Sequence, residues 1–162
     1  REWQLATIQC DFNLPERFKL SFTNEAGEEE RPVVIHRAIS GSLERFMGII
    51  IEHFAGAFPL WMSPRQVNIV PVAENFEEYA RNLNNTLKEL DIRSDIDFSS
   101  DSFNKKIRNG ETSKYNYIVI IWEQEVANNS VSIRNVRTKE QKTLSLQDFI
   151  SMLTSEIKEK SL

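Results

Sequence analysis

Apolar residues recur at helical spacing between residues 43 and 54, and this is the most regular pattern in the chain. The apolar positions are Leu43, Phe46, Met47, Ile50, Ile51 and Phe54. Residues spaced in this way share one face of an α-helix. A turn at residues 40–42 precedes them, and Gly56 follows as a residue that tolerates the left-handed backbone found at helix ends. The pattern therefore predicts an amphipathic helix that begins at Leu43 and stops before Gly56.

Shorter runs upstream of this helix favour strands. Residues 6–12 alternate apolar with polar side chains, which is the period of a strand with one face of each kind. Residues 19–23 and 31–39 are further strand candidates, and the polar, acidic loop between them predicts that they pair as a hairpin. Residues 13–18 contain Pro15 and predict a turn.

Beyond a Pro-bounded aromatic segment at residues 58–64, strand-like and helix-like patterns alternate. The predicted strands are residues 66–72, 92–98, 117–122 and 131–136. The predicted helices are residues 102–115, residues 144–160 and a segment whose apolar face is Phe76, Tyr79, Ala80, Leu83, Leu87 and Leu90. This alternation indicates an α/β unit with mixed strand pairing at its end. We therefore expect two domains, residues 1–62 and residues 63–162.

The composition of the 162-residue chain is that of an ordinary globular protein, with 40% apolar and 27% charged residues. Its net charge of −4 excludes a global basic footprint, so any RNA contact must come from a local patch. One cysteine excludes an intrachain disulfide and fits a reducing compartment. No apolar run approaches the ~20 residues of a membrane span, and we expect neither a membrane nor a DNA partner. The chain begins without methionine, so we expect further sequence upstream of Arg1.

Arg45 departs from the local rules of helix formation. It lies in the first turn of the predicted helix, where the helix dipole disfavours a cation. An anionic partner would explain the position, because free N–H groups at the same helix end attract anions too. A solvated charge balanced by Glu44 is the alternative, and helix chemistry alone favours it. His36 is equally open, because a histidine at a strand end is more often structural than a ligand.

A family resemblance changes this weighting. Residues 36–67, HRAISGSLERFMGIIIEHFAGAFPLWMSPRQV, resemble motif 3 of the threonyl-tRNA synthetases, a family of class II aminoacyl-tRNA synthetases. Residues 1–12 resemble the pattern R-x-W-Q-x-x-T-I-Q-x-D-F of the same family. Residues 104–109 and 130–134 resemble its anticodon-binding domain. The resemblance thus covers essentially the whole chain.

The resemblance implies an α/β architecture in two parts. Residues 1–62 would be the end of an antiparallel-sheet class II catalytic domain, and residues 63–162 an α/β anticodon-binding domain with a mixed sheet. The full-length protein would be a cytoplasmic homodimer (a mitochondrial location is the alternative) that activates threonine with ATP and transfers it to tRNA(Thr). This chain alone is expected to be inactive. A noncatalytic, synthetase-like RNA-binding module is the alternative function.

The resemblance also implies roles for polar residues of the first part. Arg45, Gln4 and Thr7 would contact ATP, with Arg45 in the catalytic role, and Gln9 would contact the amino acid. From the pattern alone, the polar strand face that carries Thr7 and Gln9 would simply face solvent. Gln4 has the opposite parity to these two residues, so a bulge would be needed to aim all three side chains together.

His36 corresponds to a zinc ligand in the resembled family. Zinc with an open coordination position can bind both the amino group and the hydroxyl of threonine. Valine lacks that hydroxyl, so zinc can distinguish threonine from valine, which an apolar pocket does poorly. The full-length enzyme would use zinc, and ATP with magnesium. Cys10 does not match the family's zinc cysteine, so we expect this chain to retain little or no zinc.

For the second part, the resemblance implies anticodon recognition by Glu125 and Arg134, with Lys106 and Arg108 as further RNA contacts. Glu125 would accept hydrogen bonds from the N–H groups of a guanine. Arg134 would donate, since its planar fork suits base edges and phosphates. A solvated charged face is an equally good explanation of Lys106 and its neighbour Lys105. Trp122 stands where family members usually carry glycine.

Overall fold

The computed structural model describes residues 2–162, so Arg1, the first residue of the matched pattern, lies outside the described residues. The chain groups into two compact units, residues 1–53 and residues 54–162. The second unit starts before the predicted boundary at residues 62 and 63, because Pro59 and Leu60 are buried in it. The assignment of domains on either side of residue 62 stays a prediction.

The first unit contains two small antiparallel sheets and two helices. Its elements are β1 (Thr7–Asp11), α1 (Asn13–Arg17), β2 (Phe22–Thr23), β3 (Glu29–Glu30), β4 (Val34–Ala38) and α2 (Leu43–Phe54). β1 pairs with β4, and β2 pairs with β3. The strand predicted at residues 6–12 and the helix predicted from Leu43 are both confirmed.

The predicted hairpin between residues 19–23 and 31–39 is wrong. The partner of β4 is β1, and the short β2 pairs with two residues of the acidic loop itself. Asn24 explains the shorter hairpin, because its side-chain oxygen accepts from the amides of Ala26 (3.0 Å) and Glu28 (2.9 Å). These bonds close a tight turn directly after β2. The turn predicted at residues 13–18 is the short helix α1.

The apolar face of α2 forms, but the rest of the first unit leaves much of it exposed. α2 contains no buried residue, and Leu43 is 69% exposed. Ile8 on β1 and Ile35 on β4 are 62% and 64% exposed. Burial of apolar surface is the main force that stabilises a fold. Within residues 2–53, that force is only partly realised.

The second unit alternates strands and helices. Its elements are β5 (Val67–Pro71), a 3-10 turn (Glu74–Phe76), α3 (Glu77–Glu89), β6 (Ser94–Ile96), α4 (Phe103–Thr112), β7 (Tyr117–Ile121), α5 (Glu123–Asn128), β8 (Ser130–Asn135), β9 (Gln141–Ser145) and α6 (Leu146–Glu159). The strand order is β6-β5-β7-β8-β9. β5 is parallel to β6 and β7, whereas β8 is antiparallel to β7 and β9. The predicted α/β class with a mixed sheet is confirmed.

The core of the second unit occupies both faces of this sheet. One face packs against α3 and α6 through side chains such as Leu83, Leu87 and Phe149. The other face packs Ile118 and its neighbours against α4. β5 and β7 are buried along their whole length, as predicted for β7. Within residues 2–162, no helix is long and apolar enough to cross a bilayer.

Candidate functional site

The polar face of the β1–β4 pair brings several predicted site residues together. Gln9 lies directly opposite His36, and Thr7 and Asp11 share the strand face of Gln9. The Nε2 atom of His36 lies 2.9 Å from Oδ2 of Asp11. The backbone amide of Leu14 and then the His36 ring lower the pKa of Asp11, because both interactions favour the ionised carboxylate.

Gln4 reaches this face without the bulge that its parity required. β1 begins at Thr7, so Gln4 precedes the strand and is not bound to its alternation. Its Nε2 donates to Oγ1 of Thr7 at 3.1 Å. The register of β1 and β4 is continuous from the pair Thr7 and Ala38 to the pair Asp11 and Val34. The structure thus joins two of the three residues that were predicted to contact ATP.

The side chain of Arg45 lies close to the segment that precedes β1. The amide of Arg45 donates to Oγ of Ser42 at 3.3 Å, which satisfies one free N–H group of the α2 N-terminus. Its guanidinium carbon lies 5.8 Å from the centre of the Trp3 ring. An electron-rich ring at this distance attracts a cation. Trp3 therefore gives a local reason for a cation in the first turn of α2.

The donor set of residues 2–162 does not fit a zinc site. Catalytic zinc takes three protein ligands, and the described residues contain no group of three His, Cys, Asp or Glu side chains that could hold a metal. Cys10 pairs with Ile35, next to the Gln9–His36 pair, so its side chain points to the opposite sheet face from His36. Nε2 of His36 bonds to Asp11 instead, so Nδ1 is the ring nitrogen that Asp11 does not contact.

Glu125 is buried and holds the start of α5. Only 6% of Glu125 is exposed. Its Oε2 accepts from the backbone amide of Trp122 at 3.1 Å, and its Oε1 accepts from Oγ of Ser132 at 2.7 Å. The first of these bonds is half of a capping box, which satisfies an amide at a helix N-terminus. Glu125 therefore ties α5 to β8.

Arg134 lies on β8 and is held by a carboxylate of α4. Its Nε donates to Oε1 of Glu111 at 3.1 Å, and Nζ of Lys139 lies 2.9 Å from the same oxygen. Lys139 first and Arg134 second lower the pKa of Glu111. Arg134 stands opposite Ile118 and Ser132 opposite Ile120, so both point to the sheet face that α4 partly covers. Glu125 contacts Ser132 at the same face.

Lys106 and Arg108 lie on α4 rather than on the sheet. Nζ of Lys106 donates to the backbone oxygen of Asp97 at 3.2 Å, while Arg108 is exposed. Lys105 pairs with Asp101 at 2.7 Å, which agrees with a solvated charged face for that residue. The structure thus groups Glu125 with Arg134 around Ser132, and it sets the two α4 cations apart from this group.

Three polar residues of these sites were not predicted from the sequence: Asp11, Glu111 and Ser132. Asp11 shares the parity of Thr7 and Gln9, which was a usable signal. Its contact with His36 depends on the pairing of β1 with β4, which was not foreseen. Glu111 and Ser132 carry no sequence signal of their own, because their contacts join elements far apart in the chain.

Comparison with known families places both units. A family model described as "Anticodon binding domain" matches residues 66–156. A second model, "tRNA synthetase class II core domain (G, H, P, S and T)", matches residues 1–54. The chain therefore belongs to the anticodon binding domain family, preceded by a class II synthetase core segment. The relatives that the chain matches are named threonine–tRNA ligases.

The threonine–tRNA ligase of Campylobacter lari is 48% identical over 98% of this chain and 26% of the relative. That of Thermus thermophilus is 47% identical over 100% of this chain and 25% of the relative. A crystal structure of the RNA binding domain of threonyl-tRNA synthetase from Cryptosporidium parvum matches with a TM-score of 0.88 and 38% identity, over 96% of this chain and 40% of that one. The chain spans about a quarter of the length of the curated relatives it matches.

Proposed function

We propose that this chain is part of a threonine–tRNA ligase. The whole protein would activate threonine with ATP and transfer the threonyl group to tRNA(Thr). The observation that carries this proposal is that one chain combines a class II core segment with an anticodon-binding fold, at close to half identity with threonine–tRNA ligases. The class II core match also favours this enzyme over a noncatalytic RNA-binding module.

In the whole enzyme, the polar face of β1 and β4 would line the pocket for the adenylate. Gln4 and Thr7, already joined by a hydrogen bond, would contact ATP, and Gln9 would contact the amino acid. The guanidinium of Arg45 would bind the negative charge of ATP, either in place of its contact with the Trp3 ring or in addition to it. Such a transfer needs positioning and charge stabilisation more than a protein nucleophile.

His36 would serve as a zinc ligand only if further ligands come from outside residues 2–162. Asp11 would then orient the ring through Nε2, as carboxylates commonly do for metal-bound histidines. Threonine, ATP with magnesium, and a second copy of the whole protein would be the remaining partners. A cytoplasmic location is part of the same proposal.

In the second unit, Arg134 and Glu125 would read anticodon bases, and Lys106 and Arg108 would contact RNA close by. Arg134 is about a quarter exposed, so its guanidinium can reach a ligand while Glu111 holds its Nε. Glu125 already accepts two internal bonds, but a carboxylate can accept more than two. These side chains suit the splayed bases of a single-stranded loop, which proteins read by hydrogen bonds and stacking.

Replacing Arg134 with alanine in the full-length protein tests this division of labour. We expect weaker charging of tRNA(Thr), with little change in threonine-dependent ATP–pyrophosphate exchange. Arg81→Ala, which removes an exposed cation from α3, is the matched control. Equal loss of charging and exchange in Arg134→Ala would remove this residue from the anticodon role. The 162-residue chain alone should show no exchange, and clear exchange would contradict our account of the catalytic site.

A further inference from the structure

We propose that Trp122 is a stacking platform for an unpaired base of the bound RNA. The inference rests on the proposed RNA-binding function and adds a contact of a different chemical kind. Trp122 follows β7 directly and is 45% exposed, although indole is among the largest apolar side chains. An exposed aromatic ring in a patch with cations is the arrangement that single-stranded nucleic acids bind.

The Trp122 ring is held in place before any ligand arrives. The ring of Phe103, the first residue of α4, lies 5.4 Å away and is tilted by 53°. The backbone amide of Trp122 donates to Glu125, which fixes the backbone that carries the ring. A ring that is already ordered loses little conformational entropy when it binds.

Trp122 also lies on the same sheet face as the predicted anticodon residues. Its backbone is extended (φ −108°, ψ 178°), so it continues the alternation of Ile118 and Ile120. Ser132 and Arg134 stand opposite those two residues on β8. Four residues of strand separate Trp122 from the position opposite Arg134, or about 13 Å. This exceeds the ~3.4 Å rise per nucleotide of a stacked strand, so Trp122 and Arg134 would meet different nucleotides.

Cations lie on two elements that neighbour Trp122. Lys106 is three residues after Phe103 on α4, which places the two side chains on neighbouring positions of one helix face. Arg134 lies on β8, the strand that pairs with β7. The sugar–phosphate backbone of a strand that stacks on Trp122 and extends along the sheet toward Arg134 would therefore meet a positive charge, even though the chain as a whole has a net charge of −4.

The test measures binding of the 162-residue chain to an RNA hairpin that carries the anticodon stem and loop of a threonine tRNA. Stacking on a protein ring is sequence-tolerant, and its loss weakens binding about 5- to 150-fold. We expect a loss in this range for Trp122→Ala and near wild-type binding for Trp122→Phe, which keeps an aromatic face. Phe18→Ala, which removes an exposed ring from the first unit, should leave binding unchanged.

Two outcomes separate this inference from the proposed function. If Arg134→Ala weakens hairpin binding but Trp122→Ala does not, stacking on Trp122 is refuted and RNA binding stands. If the wild-type chain does not bind the hairpin, both are refuted. Since Trp122→Ala also loses the Phe103 contact, thermal unfolding is measured in parallel and Trp122→Phe decides: equal losses in both variants would overturn the stacking role. Quenching of Trp122 fluorescence by the hairpin, absent in Trp122→Phe, gives an independent signal.

Discussion

Replacing Glu125 separates a structural role from a recognition role in one side chain. Glu125 is 6% exposed and bonds both the amide of Trp122 and the hydroxyl of Ser132. Alanine removes both bonds and leaves the start of α5 without its carboxylate. Glutamine keeps the shape: its carbonyl can accept from Trp122, and its amide nitrogen can donate to Oγ of Ser132.

The expected magnitudes follow from these contacts. A hydrogen bond to a charged group contributes about 1.5–3 kcal/mol to stability. Ser132 keeps a second partner, since its Oγ lies 3.0 Å from Oγ1 of Thr143, so the loss of its bond to Glu125 is partly offset. We therefore expect Glu125→Ala to lower the free energy of unfolding by about 2–4 kcal/mol. Glu125→Gln should lower it by about 1 kcal/mol, the difference between a charged and a neutral acceptor.

Urea unfolding followed by tryptophan fluorescence measures both changes, provided that the slope of the transition is unchanged. Glu123→Ala is the matched control, because it removes an exposed carboxylate from the same first turn. The helix-dipole contribution lost there is about 0.3–1 kcal/mol. If Glu125→Ala costs no more than Glu123→Ala, the structural role is refuted. If Glu125→Gln keeps stability but weakens hairpin binding, the carboxylate also recognises RNA.

Three further changes probe the second unit. Gly110→Ala should cost about 1–3 kcal/mol in urea unfolding, because a Cβ there would lie 2.9 Å from atoms of Asn68 and Ile118; Gly48→Ala, with nothing within 4 Å, should be neutral or stabilising. Gln66→Leu should cost about 2–5 kcal/mol by the same assay, because the carbonyl of residue 60 and the amide of residue 93, each 2.7 Å from this side chain, lose their partner. Burial, then a hydrogen bond to a nearby carboxylate, raises the pKa of Tyr115 to about 12 from 10.0. A raised pKa favours the protonated form, so the stability that Tyr115 contributes should be complete below pH 10 and lost between pH 10 and about 12. Ultraviolet titration of tyrosinate should show this late transition, and Tyr115→Phe should remove one tyrosine's share of it, because burial also raises the pKa of Tyr79 and Tyr117.

Local patterns predicted the elements whose signal lies within one stretch of chain. α2, β7 and the strand–helix alternation of the second unit follow from spacing alone. β9 was missed because its polar face and exposed edge position give five residues with little apolar signal. The last helix was predicted from residue 144, but it begins at Leu146, where Ser145 caps it by accepting from the amide of Asp148.

Strand pairing in the first unit could not be predicted from local patterns. Whether β4 pairs with β1 or with residues 19–23 depends on contacts between distant segments. The residues of these strands do not themselves specify which strand is the partner. The Asn24 turn was visible in the sequence, but its effect is to end the hairpin early. The contact between Asp11 and His36 follows only from the correct pairing.

The candidate residues of the two units lie on scaffolds that differ in how well they are packed. Arg134 lies on a sheet whose two faces are packed, and Trp122 and Glu125 directly follow strand β7 of that sheet. Other residues therefore maintain the frame when one of these three is replaced. Thr7, Gln9 and His36 sit on a two-stranded sheet, which alone is marginally stable in water. There, bonds such as Gln4 to Thr7 help to maintain the frame as well as the site. In this chain, loss of a β1 side chain would therefore disturb the folding of the first unit as well as the arrangement of the site.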